Sequence, residues 1–341
     1  MSGLWLAVVG AVFYFSPWYE QFLTHLLIAS PVIGGLHSFF PLLAAVSSTA
    51  FIERLRPQKQ KILLYSVFIV GVSFAMGILG SQLAQPEFWI LLGYGYLVWN
   101  TWHFAAQNFG VMCLYRAKSE QSRPLEVKID KFYCLIMGCL IQPIIWFCIE
   151  ARWGLFLRLK NEDFPAQFVT QVTLGFATLL TLAFVIWEAQ KKQRSWPKIL
   201  FAFSLLLQPF AGVMAYYPFH FLIYSIPHWM VEIGITGTIQ ANNAKKQNTG
   251  FKAALSIAGF LLTTALLIYW LEPTGYADPA IFTWWDELAW RDIGNTESLY
   301  LQLTLPTLVT LLLIPRSFLH FYLSRQIYKS TSWTLLNLRK E

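Results

Sequence analysis

Residues 167–217 read QFVTQVTLGFATLLTLAFVIWEAQKKQRSWPKILFAFSLLLQPFAGVMAYY, two apolar runs (167–187 and 199–217) joined by a segment in which Lys191, Lys192, Arg194 and Lys198 crowd together. Each run has about the length that crosses roughly 30 Å of hydrocarbon as a helix, the form in which one segment satisfies its own backbone in lipid. The basic segment marks one membrane face. Working outward, the same alternation repeats: further runs lie at 3–17, 22–51, 62–84, 88–115, 132–149, 219–240, 253–271 and 299–322. Basic residues recur at 53–61, 116–131, 245–252 and in the tail, so that five segments hold 20 of the 25 Lys and Arg. If the chain crosses about ten times, all five fall on one face. Under the positive-inside rule that face is the cytoplasm, with both termini inside an inner- or plasma-type membrane.

Composition agrees. Apolar residues make up 56% of the chain and charged residues 13%, against about 25% charged in soluble domains. The expected fold is all-α: a polytopic integral membrane helical bundle of about ten transmembrane helices, with 1–341 forming a single transmembrane domain. The net charge of +7 reports orientation and attraction to anionic membrane lipids rather than nucleic-acid binding. No basic start precedes the run at 3–17 and no small-residue cleavage site follows it, so it reads as a helix and not a signal peptide. The loop 272–298 lies on the extracytoplasmic face. There Trp284, Trp285, Leu288 and Trp290, with Asp286, Glu287 and Asp292, form an amphipathic stretch suited to the headgroup level, as an interfacial belt or as a lid over an entrance. Cys113, Cys134, Cys139 and Cys148 show no metal or disulfide spacing and read as buried small hydrophobes. There is no nucleotide-binding glycine loop and no short internal repeat.

Any chemistry must therefore come from polar residues at membrane depth, where ionisable groups are costly. In the fourth run Tyr96, Asn100, His103, Gln107 and Gly110 recur at helical spacing and give one polar face, which must look into the bundle. In the eighth, Tyr224, His228, Glu232 and Thr236 do the same, with Pro227 freeing a carbonyl in the preceding turn. Glu232 is placed to ligate a metal beside His228 or to orient its ring. His37 sits between Pro31, Gly34–Gly35 and Pro41, interruptions that membrane helices tolerate chiefly where they line a cavity. His320, four residues after Arg316, lies deeper toward the cytoplasm, and His25 and His220 lie near the outer ends of their runs; these are weaker candidates.

Several readings compete. His37, His103 and His228 with Glu232 suit a non-haem metal, iron above all, with positions left for oxygen and substrate. Glu232 and Gln107 would then serve the chemistry, with Gln107 and Asn100 orienting His103 or a water. The same residues suit a proton- or ion-coupled transporter in which His228 and Glu232 exchange protons. As axial ligands, His103 and His228 would make a bis-histidine haem protein for electron transfer. The bland alternative is a set of interhelical hydrogen bonds worth about 1 kcal/mol each. Glu232 stands almost alone as an acid at depth and no matching half-repeat is visible, which favours the metal enzyme over the carrier.

The multispanning chain, the His103–Phe104 step and the later Pro227–His228 step resemble the Brp/Blh family of integral-membrane, iron-dependent enzymes that cleave β-carotene to retinal. The resemblance implies iron held by helix histidines and an isoprenoid or carotenoid substrate oxidised by a dioxygenase. It covers short patches, about a tenth of the chain. His37 is flanked by Leu36 and Ser38 where the family has a Pro-His-Gly-type step, and His228 with Glu232 stands where it has a His-x-x-x-His pair. Trp99, Trp102, Phe104, Phe109, Phe219, Phe221 and Trp229 crowd the central histidines, as walls for a flat or long lipophilic small molecule or as ordinary packing.

Overall fold

The computed structural model describes residues 56–83, 86–119, 124–153, 161–214 and 219–246, with a few further positions that include His37, Pro41 and 320–323. The runs at 3–17, 22–51, 253–271 and 299–322 and the loop 272–298 lie wholly or almost wholly outside them. Among the described residues there are helices and no strand. A 3₁₀ turn (Arg56–Gln58) leads into α1 (Lys59–Leu83), followed by α2 (Pro86–Lys118), α3 (Pro124–Ile136), a π turn (Met137–Ile141), α4 (Gln142–Trp153), α5 (Ala166–Ala189), α6 (Trp196–Met214) and α7 (Phe219–Lys246). Among the described residues, three stretches are long and apolar enough to cross a membrane: Pro124–Arg152, Ala166–Ala189 and Trp196–Met214.

The helices divide between two compact units, and the division falls within α2 and within α7. The first unit spans the described residues of 93–231. Its polarity is inverted relative to a soluble bundle, most clearly on α5. Phe168, Val172, Phe176, Leu179, Leu182 and Ile186 are exposed at spacings of three and four, an apolar stripe of the kind that faces lipid. The opposite face buries Thr173, Ala177, Thr181, Phe184 and Glu188. In water such an arrangement would leave a large apolar patch uncovered.

The π turn has a local cause. Pro143 lacks the N–H that would bond the carbonyl of Cys139, and its ring crowds that carbonyl. The widened turn absorbs the misfit, with the Gln142 N–H reaching the Met137 carbonyl five residues back. It also brings Gly138 against α2, where a Cβ at Gly138 would lie 2.5 Å from the Ala105 Cβ and 3.0 Å from its Cα. Backbones this close need small residues on both sides. Nearby, the Tyr133 hydroxyl donates to the Ala202 carbonyl at 3.0 Å and is 3.0 Å from Thr181 Oγ1, while its ring stacks on Phe184 with centroids 4.4 Å apart. One side chain thus ties α3 to α5 and α6.

At one end of this unit six charges interlock. Lys198 Nζ lies 2.8 Å from Asp130 Oδ1 and 3.0 Å from Glu188 Oε2, with all three side chains wholly buried. Arg116 pairs with Asp130 at 3.0 Å and donates to Cys113 Sγ at 3.2 Å. Lys191 pairs with Glu188 at 2.7 Å and approaches Glu126 at 3.6 Å. The Ser195 N–H donates to Glu188 Oε1 at 3.0 Å. Three cations balance three acids, as ions withdrawn from water require.

Two expectations change here. The apolar run expected at 132–149 lies inside a longer helical stretch that begins at Pro124, where Glu126 and Asp130 have partners that make the first turns of α3 tolerable as buried helix. Lys198, expected in a loop, is buried in the first turn of α6. The pairing does join the ends of 116–131 and 191–198, as their assignment to one face requires. Of the four cysteines, Cys134 and Cys148 are buried as expected, Cys113 is half-buried and Cys139 is exposed on the π turn.

The second unit comprises the described residues of 31–92 and 232–326. Leu63, Leu64, Tyr65, Val67, Phe68 and Val70 of α1 are exposed, and Tyr65 meets Tyr322 with centroids 6.2 Å apart. The later turns of α7 bury Glu232, Thr236 and Ile239, and the Thr236 hydroxyl bonds back to the Glu232 carbonyl at 2.6 Å.

Candidate metal centre

In the first unit the polar face expected on α2 is inward. Asn100, His103, Phe104 and Gln107 are buried, while Val98 and Trp102 are exposed. The face expected on α7 is inward too: Tyr224, Ser225 and His228 are buried and Met230 is exposed. His103 and His228 meet edge to face, with centroids 4.8 Å apart and planes at 80°. Phe104 lies against His228 with centroids 4.1 Å apart and joins Trp146 and Tyr224 in an apolar cluster.

In the second unit His37 meets His320, with centroids 4.0 Å apart and planes at 69°. Both are buried. Within each unit, then, two buried imidazoles lie together, His103 with His228 and His37 with His320, and either pair could contribute to holding a metal ion. The geometry of the His103–His228 pair fits ligation of one ion. With a metal–nitrogen distance of about 2.1 Å and a ring radius of about 1.1 Å, two imidazoles on one ion have centroids about 4.5 Å apart at a right angle and about 5.2 Å apart at the tetrahedral angle. The His103–His228 pair lies inside that range and the His37–His320 pair on its short side.

His320 is the paired histidine that the sequence expectation ranked low, since Arg316 drew it toward the cytoplasmic end. A spacing fixes a residue's face and not its partner. Glu232 is wholly buried one turn beyond His228; Gln107 is buried one turn beyond His103. Neither Glu232 nor Gln107 has its role decided by burial alone.

Glu232 is not alone as a buried acid. Glu126, Asp130, Glu150 and Glu188 are buried as well, so scarcity of acids at depth does not distinguish an enzyme from a carrier. Their detection from sequence needed the partners: each of Glu126, Asp130 and Glu188 faces a Lys or Arg from a different stretch of chain. No family model, curated protein or solved structure matches the chain.

Proposed function

We propose that this chain is a polytopic membrane protein of about ten helices, with both termini cytoplasmic, that binds one non-haem metal ion and oxygenates a lipophilic substrate. The observation that carries the reading is the buried pairing of His103 with His228 in a chain whose helices turn apolar residues outward. The termini follow from the basic residues left over once Arg116, Lys191 and Lys198 are paired: Lys118, Arg123, Lys128, Lys131, Lys192 and Arg194 still mark one face.

Neutral imidazoles suit several first-row metals; iron is proposed because it adds oxygen chemistry at a site with positions left open. The chain's own residues would do the rest. Phe104 packs against the ring of His228 and restricts its rotation. Glu232, one turn along α7, would accept the other N–H of His228 and hold the ring in one tautomer, as metal-bound histidines generally require, or else ligate directly. Gln107 would hold a water or the substrate beside His103. The aromatic walls exclude water from a hydrocarbon substrate. A bis-histidine haem fits less well, since axial rings on opposite faces of a macrocycle have centroids about 6.4 Å apart, well beyond the 4.8 Å of His103 and His228.

The test is incubation of iron-loaded protein with isoprenoid and carotenoid substrates under ¹⁸O₂, followed by mass spectrometry of the lipid extract. Label in a product that forms with the wild type and not with His228→Ala is expected. Absence of labelled product across such substrates, from protein shown to hold iron, would overturn the oxygenase reading.

A further inference from the structure

Tyr224 is one of the most deeply buried side chains among the described residues, and its hydroxyl has no hydrogen-bond partner among them. Such a group costs about 1–3 kcal/mol unless something satisfies it. It lines a partly open cavity whose polar wall is built from pairs one helical turn apart: Ser204 and Gln208 on α6, Tyr224 and His228 on α7, with Asn108 one turn beyond Phe104 on α2. Gly212 continues the α6 face. A Cβ there would lie 2.9 Å from Tyr224 Cε2 and 3.3 Å from its Oη, so glycine is what lets the tyrosine lie across α6. The free space is small, about enough for one water-sized group.

We infer that this cavity is a binding site for the oxygen of a lipophilic alcohol or carbonyl compound. The Tyr224 hydroxyl donates to that oxygen, and Gln208 and Asn108 are placed to complete its hydrogen bonding, while the apolar body lies outside the cavity. Phe104, Phe201, Pro227 and Val231 supply the apolar part of the lining. The assignment rests on the lipophilic-substrate reading above and deepens it: one end of the substrate carries oxygen and is anchored next to His228. Tyr224 is a positioning residue here and takes no part in bond making.

The test compares equilibrium binding of radiolabelled 1-hexadecanol and hexadecane to the full-length protein in nanodiscs, with empty nanodiscs subtracted. The alcohol is expected to bind at least about tenfold more tightly than the hydrocarbon, the worth of one well-made hydrogen bond. Tyr224→Phe keeps the ring and should remove most of that preference while leaving hexadecane binding unchanged. Should that variant fail to fold, Gln208→Leu serves in its place. Equal binding of alcohol and hydrocarbon, or an undiminished preference in Tyr224→Phe, would overturn the assignment and leave the cavity a water site. Iron uptake measured on the same preparation separates the two proposals: a protein that takes up no iron yet keeps the alcohol preference would sink the metal centre and leave the Tyr224 site standing.

Discussion

Replacing Lys198 by Met tests the buried charge network, and its consequence can be worked from the distances. The ammonium is wholly buried and bridges Asp130 at 2.8 Å and Glu188 at 3.0 Å. Methionine matches its stem but leaves the network with one more acid than base. Losing one partner of a buried pair typically costs about 3–5 kcal/mol. Here each acid keeps another partner, Arg116 for Asp130 and Lys191 with the Ser195 N–H for Glu188, which places the expected loss near the low end, about 3 kcal/mol. At roughly 2–4 °C per kcal/mol for a unit of this size, the melting temperature should fall by about 6–12 °C. Thermal unfolding in detergent, followed by tryptophan fluorescence, reads it. Lys198→Met combined with Glu188→Gln restores the charge balance and should recover at least half of the loss. A Lys198→Met protein that melts within about 1 °C of the wild type, or a double variant worse than the single one by the full cost of Glu188→Gln alone, would refute the network as drawn.

Other outcomes follow from packing and from the lipid face. Gly138→Ala places a methyl group against the backbone of Ala105 and should cost about 1–3 kcal/mol, seen in the same melting assay; adding Ala105→Gly should return part of it, and an unchanged melting temperature would mean that α2 and the π turn are not in contact. Leu179, 68% exposed on the stripe of α5, should tolerate Phe or Ile but not Arg, whose insertion near a helix centre costs about 2.5–3.5 kcal/mol. A glycosylation reporter of membrane insertion measures that difference, and equal insertion of the Arg and Phe variants would show that this face is not lipid-exposed.

The helices were legible in the chain wherever apolar runs were uninterrupted by charge. The run expected at 167–187 is α5 with a residue or two at each end, and the faces of Asn100, His103 and Gln107 and of Tyr224 and His228 point inward as their spacing demands. The start of α3 was not legible, because Glu126 and Asp130 read as loop until Arg116, Lys191 and Lys198 supply their counter-charges from elsewhere in the chain. For the same reason the basic segments overstate the charge available to set orientation. Among the candidate ligands, periodicity marked His103 and His228 by their faces, and the Pro and Gly interruptions around His37 marked that residue. Both signals were silent on His320, whose pairing with His37 joins residues nearly three hundred positions apart. The Tyr224 cavity was equally hidden, since Ser204, Gln208 and Gly212 are unremarkable on a helix until a tyrosine lies across them.

The metal content of the purified protein tests the account most directly. The full chain should be prepared without chelator and with a tag free of histidine, and its metals counted by mass spectrometry beside His103→Ala and His228→Ala variants of matched folding. One transition-metal ion per chain in the wild type, reduced to well under half in the His103→Ala and His228→Ala variants, is the result predicted. A wild type that stays metal-free after exposure to ferrous iron under anaerobic conditions, or a His103→Ala variant that keeps a full ion, would contradict the metal centre.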